Sequence, residues 1–297
     1  MNLVDPSTIH EHYSKNPSRV ILDVLPDEIF EKRHIKDAVN ACVYEIDFIE
    51  KVTTLIPDQN REIVIYGQND QFEAALLAFE KLQSNGWTHV DVLRGGIENW
   101  ESLGHPIGGN GFQAEPLNEV FEASIEKSSV RWVGRNLLNQ HNGVVGLEKA
   151  TLKLENDQLV GGAAVIDMTR IECEDIEDPS MAQMLIGHLR TDDFFLVEKY
   201  PAADFELLSA EAIPESHPGA PNYNIEGSFT LRGHTQQIRF PATLGKNDAV
   251  VALQASFDID RVLWNSKYGS AKIYEALGKH VVNDLISISF QLIAPIK

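Results

Sequence analysis

The hydrophobic period changes once along this chain, near residue 118, and the change divides it into two unlike halves. Before that point, short continuous apolar runs alternate with helical patterns. VILDV (20–24), EIVIY (62–66) and VDVL (90–93) have the length and β-branched content of strands buried on both faces. Between the second and third, Phe72, Leu76, Phe79 and Leu82 recur at helical spacing, and Asn85-Gly86 follows as a stop signal. Strand, helix, strand in this order predicts a parallel sheet with right-handed crossovers. After residue 118 the period becomes two. ATLKLE (150–155) places Ala150, Leu152 and Leu154 on one face, and YNIEGSFTLRG (223–233) does the same with Tyr223, Ile225, Phe229 and Leu231. HTQQIRFPATL (234–244), VVALQASFDID (250–260) and LISISFQLIA (285–294) continue the alternation, which predicts an antiparallel sandwich or barrel. PSMAQMLIGHL (179–189) interrupts it with a helical pattern.

A chain of 297 residues is long for one core, so two domains are expected: 1–107, a Gly/Pro/Asn-rich linker over 108–118, and 119–297. Acidic residues outnumber basic ones by 44 to 25, and the excess is shared by both halves. Such a field repels phosphate backbones and anionic surfaces, which argues against nucleic-acid binding. No run approaches the roughly 20 apolar residues of a membrane span, and MNLVDPSTIHEHYSKN has no export-signal pattern. With only two cysteines, Cys42 and Cys173, a cytoplasmic location is expected. No Cys-x-x-Cys, P-loop or paired-histidine motif calls for a metal or cofactor, and Gly108-Gly109-Asn110-Gly111 lacks the strand-to-helix context of a phosphate cradle.

Two segments of the first half, ILDVLPDEIFEKRHIKDAVNA (21–41) and WTHVDVLRGGIENWESLGHPI (87–107), resemble the opening and closing signatures of rhodanese domains, through Asp23, His34, Gly95, Gly96 and Trp100. The resemblance implies a sulfurtransferase scaffold in which a loop after a central strand carries Cys-x-x-Gly-x-Arg. Here that loop reads Gly67-Gln68-Asn69-Asp70-Gln71-Phe72. Gly67 stands at the cysteine position, Asp70 at the glycine position and Phe72 at the arginine position, while Asp70 and Glu73 bring negative charge to the place of a thiolate. No catalytic residue is expected. Thiol chemistry at Cys42 is the alternative, against its reading as a small buried core residue.

The second half carries four segments in order: GGAAVIDMTRIECED (161–175), HLRTDDFFLVEKYPAADFELLSA (188–210), IEGSFTLRGHTQQIRFPATL (225–244) and FDIDRVLWNSKYG (257–269). Together they resemble the YceI family of lipocalin-like barrels associated with polyisoprenoids and related long-chain amphiphiles. The resemblance implies a long apolar ligand, of isoprenoid, quinone-precursor or fatty-amide type, inside the barrel. Alternation names Leu152, Leu154, Val165, Phe205, Leu207, Ile225, Phe229 and Leu231 as lining candidates, with Phe194 and Phe195 near an entrance. Arg170, His188, Arg232 and His234, at strand ends and turns, are the head-group candidates, whereas Arg261 and Trp264 are read as ties between closing strands. Surface charge and plain core are the competing readings for these residues. A barrel that acts on its ligand, a barrel filled by its own side chains and a homodimer paired through a strand face are further possibilities.

Overall fold

The computed structural model describes residues 1–13, 19–71, 73–111 and 115–296. The chain forms two compact units, Met1–Glu115 and Pro116–Lys297.

In the first unit the elements run β1 (Asn2–Val4), α1 (Pro6–Tyr13), β2 (Val20–Asp23), α2 (Asp27–Lys32), β3 (His34–Ile35), β4 (Val39–Asn40), α3 (Phe48–Leu55), β5 (Ile63–Tyr66), α4 (Ala74–Ser84), β6 (Val90–Leu93), α5 (Gly96–Ser102) and β7 (Ile107–Gly108). A five-stranded sheet in the order β1-β6-β5-β2-β4 is parallel throughout. Its three central strands, β2, β5 and β6, are buried on both faces, which is why they read as unbroken apolar runs. Leu22, Ile63, Ile65, Val90 and Val92 pack with residues of α3 and α4. Ile21, Val64, Tyr66 and Leu93 face the other way, with Ile9 of α1 and Ile97 and Trp100 of α5.

Two expectations shift. The buried face of α4 is Ala74, Ala78 and Leu82, while Leu76 is exposed. Small alanines let the helix approach the sheet closely, so the larger Leu76 is turned outward; Phe72 lies outside the described residues. Ile107, the last residue of the expected first domain, and Gly108, the first of the expected linker, pair with Ile35 and His34, and the amides of Asn110 and Gly111 donate to the carbonyls of Glu31 and Lys32. This stretch therefore belongs to the first unit as far as residue 111.

The second unit comprises β8 (Val120–Glu122), β9 (Ser129–Arg135), β10 (Gln140–Glu155), β11 (Gln158–Ile171), α6 (Pro179–Arg190), β12 (Ala202–Ala212), β13 (Tyr223–Leu231), β14 (His234–Lys246), β15 (Val250–Asp260) and β16 (Leu285–Pro295). Each strand from β9 to β16 is antiparallel to its neighbours, and β10 pairs with both β9 and β11, so the eight-stranded sheet closes on itself. Closure removes every free edge except that of short β8, which lies along β10. The hairpin between β13 and β14 is a two-residue turn, Arg232-Gly233, with φ of +51° and +72°, the primed geometry that suits a twisted ribbon. Gly227 is needed for a different reason: a Cβ there would sit 2.2 Å from the Phe205 ring, which lies across the strand.

Candidate functional site

Two apolar clusters fill the barrel unequally. At the end formed by the β10–β11 and β14–β15 turns, Leu154, Leu159, Tyr223, Ala242, Val251 and Ala294 are tightly buried. There the Tyr223 hydroxyl donates to Gln158 Oε1 over 3.0 Å, and Lys246 pairs with Asp157 at 2.5 Å. That end is closed. Between this cluster and a second one beneath α6, the barrel encloses a cavity of about 450 Å³. Val145, Ile238, Phe257 and Ile288 touch both clusters and line the middle of the cavity. The volume lies within the roughly 300–1,000 Å³ of small-molecule sites.

The open end is built by α6, by the β9–β10 hairpin and by the segment 261–284 between β15 and β16. Helix α6 begins at Pro179 and is capped by Asp178, whose side chain accepts from the amides of Ser180 and Met181. It turns Leu185, His188 and Leu189 toward the cavity, and Met181 and Met184, on the same stripe, stay exposed. His188 Nε2 is 2.8 Å from Asp193 Oδ2, and its ring meets Phe194 and Tyr268 edge-on at 5.0 and 4.8 Å. The Arg232 guanidinium donates to the Phe194 carbonyl, fixing that aromatic from behind.

The 261–284 segment hangs on Arg261, which is 1% exposed. Its guanidinium donates to the carbonyls of Asn283, Ser266, Tyr268 and Val282, stands 3.6 Å from Asp284 and lies over the Phe194 ring. Burial pulls its pKa down from the usual guanidinium value, against the charges of Asp284 and Asp260. Trp264 Nε1 donates to the Phe229 carbonyl. Arg261 and Trp264 thus hold the long closing segment onto the barrel.

Among the residues named from sequence, Leu152, His188, Phe194, Phe195, Phe205, Leu207, Ile225, Phe229 and Leu231 line this cavity. Five do not. Leu154 is buried in the closed end. Val165 lies on the opposite face of β11 from the lining residues Ala164 and Ile166, because side chains alternate strictly along a strand. Arg170 turns back to Asp167 Oδ2 and the Leu147 carbonyl; Arg232 is spent on Phe194; His234 is exposed at the turn. Arg232 and His234 sit at the β13–β14 turn and do not line the cavity. Reasoning from sequence did not reach Trp132, Met168, Phe240, Phe257 and Phe290, nor the rim residues Arg135, His141, Lys279 and His280. The alternation of β14 to β16 contained the aromatic set, but their parity became assignable only with the observed register, in which Phe257 pairs Ile288 and Ala255 pairs Phe290.

In the first unit, β5 runs into a loop held from the opposite side by the start of α5. The carbonyls of Gly67 and Gln68 accept from the amides of Ile97 and Glu98, and Asp70 Oδ1 accepts from the Gly95 amide at 2.7 Å. Gln68 and Asn69 each donate to the Glu98 carboxylate at 2.7 Å, and those two bonds hold its pKa below the usual range. Gly96 is required here: its φ is +56°, and a Cβ would lie 2.4 Å from the Gly67 carbonyl oxygen. The loop is thus occupied by its own hydrogen bonds and faced by two carboxylates. Cys42 is buried, and the Cys173 thiol is pushed up in pKa by burial and by its contact with Asp175.

Beneath this loop, at the end of β2, Asp23 is fully buried beside Tyr66, and burial raises its carboxyl pKa to about 6. Tyr66 is raised as well, first by burial and then by Asp23. A group that holds its proton more tightly when folded contributes most below its unfolded pKa and loses that contribution as pH rises through the folded value. Asp23→Asn keeps the acceptor that Leu25 uses and carries no charge. It is expected to stabilise the first unit by about 2 kcal/mol at pH 7.5 and to lose the advantage at pH 4. Hydrogen exchange of β2 and β5 amides at the two pH values checks this; equal pH profiles for variant and wild type would contradict it.

Comparison with known proteins agrees with this division. The model of the YceI-like domain matches residues 121–294, more than half of the chain. The chain belongs to the YceI-like family. Ahead of its YceI-like domain, residues 5–103 match the rhodanese-like domain. Over the YceI-like domain the chain is similar to BcnA of Burkholderia cenocepacia, with 22% identity over 58% of this chain and 99% of that one and a TM-score of 0.46. It is also similar to a polyisoprenoid-binding domain from Saccharophagus degradans, with 11% identity, coverage of 61% and 100%, and a TM-score of 0.43. The rhodanese-like part is 32% identical over 103 residues to the adenylyltransferase and sulfurtransferase UBA4 of Meyerozyma guilliermondii, covering 32% of this chain. The present chain spans 23% of that protein's length. Among the described residues, no helix is long and apolar enough to cross a membrane.

Proposed function

We propose that the YceI-like barrel is a carrier or sensor for a long-chain amphiphile of isoprenoid, quinone-precursor or fatty-amide type, and that the rhodanese-like unit is a non-catalytic docking or regulatory module. One observation carries the reading: a cavity with a mostly apolar lining, whose charged and imidazole side chains gather at the α6 end. Each methylene moved from water into such a lining gains about 0.8 kcal/mol, so a twelve-carbon chain offsets much of an association cost of roughly 4–15 kcal/mol. The exposed Met181 and Met184 extend the apolar stripe of α6 from the cavity to the surface, an approach path for a chain. Family resemblance to polyisoprenoid-associated barrels points to the same ligand class. A cytoplasmic setting belongs to the proposal too, supported by two cysteines that are both unpaired.

Native mass spectrometry of the purified protein tests the carrier reading. The expected result is a bound hydrophobic mass released on denaturation, or uptake of a neutral naphthylamine dye that dodecanol or a prenyl alcohol displaces. A protein that holds neither chain nor dye would defeat it.

Non-catalytic status is supported by the sequence and contacts of the 67–71 loop. Nothing in it can form a persulfide, and Asp70 and Glu98 would repel a thiolate or sulfite. The chain and its Cys42→Ala variant are expected to give the same background rate in a thiosulfate–cyanide assay, and Gly67→Cys alone is expected to leave it within about threefold, because the carboxylates remain. A rate that depends on Cys42 would establish the thiol alternative.

A further inference from the structure

Charge around the barrel mouth is distributed against the trend of the whole molecule. The chain carries 44 acidic and 25 basic residues, yet among the described residues no Asp or Glu lines the cavity. The ionisable side chains that do line it are Arg135, Arg261, Lys279, His141, His188 and His280. Four of these six are already engaged. Arg135 donates to Ser287 Oγ at 2.8 Å, and Arg261 is surrounded by carbonyls. His141 is 2.9 Å from Asp175, and His188 is bound to Asp193. Asp175, Asp193 and Asp284 are the carboxylates that these contacts engage, and Asp284 also pairs with Lys272 at 3.3 Å.

Lys279 and His280 remain. They sit in a short helical turn, Gly278–His280, within the segment that Arg261 anchors, and both are exposed at the rim while contributing to the lining. Neither side chain has a hydrogen bond or ion pair among the described residues, and the Tyr268 hydroxyl in the same rim is likewise unpartnered. A lysine ammonium has three donors and no acceptor, imidazole and phenol each add a donor, and no acceptor of the protein meets them. An anion approaching this molecule is repelled by its net charge of -19, so a site that accepts one needs local cations at the point of contact.

We infer that the amphiphile held by the barrel ends in an anionic, acceptor-rich head group, a carboxylate or phosphate, bound at the rim by Lys279 and His280 with Tyr268 beside them. The inference rests on the carrier reading and narrows it to charged chains. A neutral alcohol, ester or amide would leave the ammonium without a counter-ion.

Displacement of N-phenyl-1-naphthylamine from the full chain separates the two claims. Dodecanoate and dodecyl phosphate are compared with 1-dodecanol, which has the same chain length, and the two anions distinguish a carboxylate from a phosphate site. Wild type is expected to bind at least one anion about tenfold or more tighter than dodecanol. Lys279→Ala with His280→Ala, both exposed positions, is expected to reduce that anion to the level of dodecanol while leaving dodecanol itself unchanged. Equal binding of charged and neutral chains by wild type, or a preference that survives the double substitution, overturns the head-group inference alone. Failure of every chain to displace the dye overturns the carrier reading and this inference with it.

Discussion

Replacing Arg261 with methionine is expected to destabilise the barrel unit by about 3–5 kcal/mol, the usual range for removing one partner from a buried charged network. The side chain is almost wholly inaccessible and supplies donors to four carbonyls, at Ser266, Tyr268, Val282 and Asn283. Methionine can fill the stem volume but donates nothing, so those carbonyls and Asp284 are left in a desolvated site. Arg261→Lys is expected to recover little, because one ammonium cannot reproduce the planar fork of five N–H donors. The loss falls on the segment that closes the barrel mouth, so exchange protection should disappear first at residues 261–284. Urea unfolding followed through the barrel tryptophans, Trp132 and Trp264, provides the magnitude. A loss below about 1 kcal/mol for Arg261→Met would show that the carbonyls find water instead.

Filling the cavity is expected to abolish binding without unfolding the protein. Ile238 and Ile288 line its middle, where the two apolar clusters meet. Tryptophan at both positions occupies space that now holds no side chain, so the overpacking penalty of about 1–3 kcal/mol for a tight core is largely avoided. Excluding four or five methylenes of a bound chain removes about 3–4 kcal/mol, a factor of roughly 100–1,000 in affinity. The expected outcome is therefore a protein with a thermal midpoint close to wild type that no longer takes up a chain or the neutral dye. Undiminished binding by a folded Ile238→Trp, Ile288→Trp double variant would place the ligand outside the barrel.

Much of the architecture is legible in the chain because two periods carry it. Continuous β-branched runs at 20–24, 62–66 and 90–93 became β2, β5 and β6, and alternation over 150–155 and 223–233 became the walls of the barrel. The interrupting helix at 179–189 is α6, Pro179–Arg190. Nine of the fourteen proposed ligand contacts fall on the cavity wall. The apolar candidates lie on that wall most often because one face of a barrel strand must be buried whether or not a ligand is present. Of the four polar candidates only His188 lies on it. Arg170 and Arg232 stand where polar groups are common, yet each satisfies a nearby backbone carbonyl, and local sequence carries no mark that distinguishes such a residue from one that faces a ligand.

By itself the amino-acid sequence determined the two-part division, the parallel and antiparallel character of the parts, and the absence of a cysteine at 67–72, since period and residue identity are local properties. Tertiary structure alone decided three further matters: that the barrel is hollow in its middle, that one of its ends is closed, and that Lys279 and His280 stand over the other. A cavity is a difference between the volume enclosed by eight strands and the volume of the side chains they carry. That difference depends on register and closure, which join residues more than a hundred positions apart, as the pair Trp132 and Ile288 illustrates.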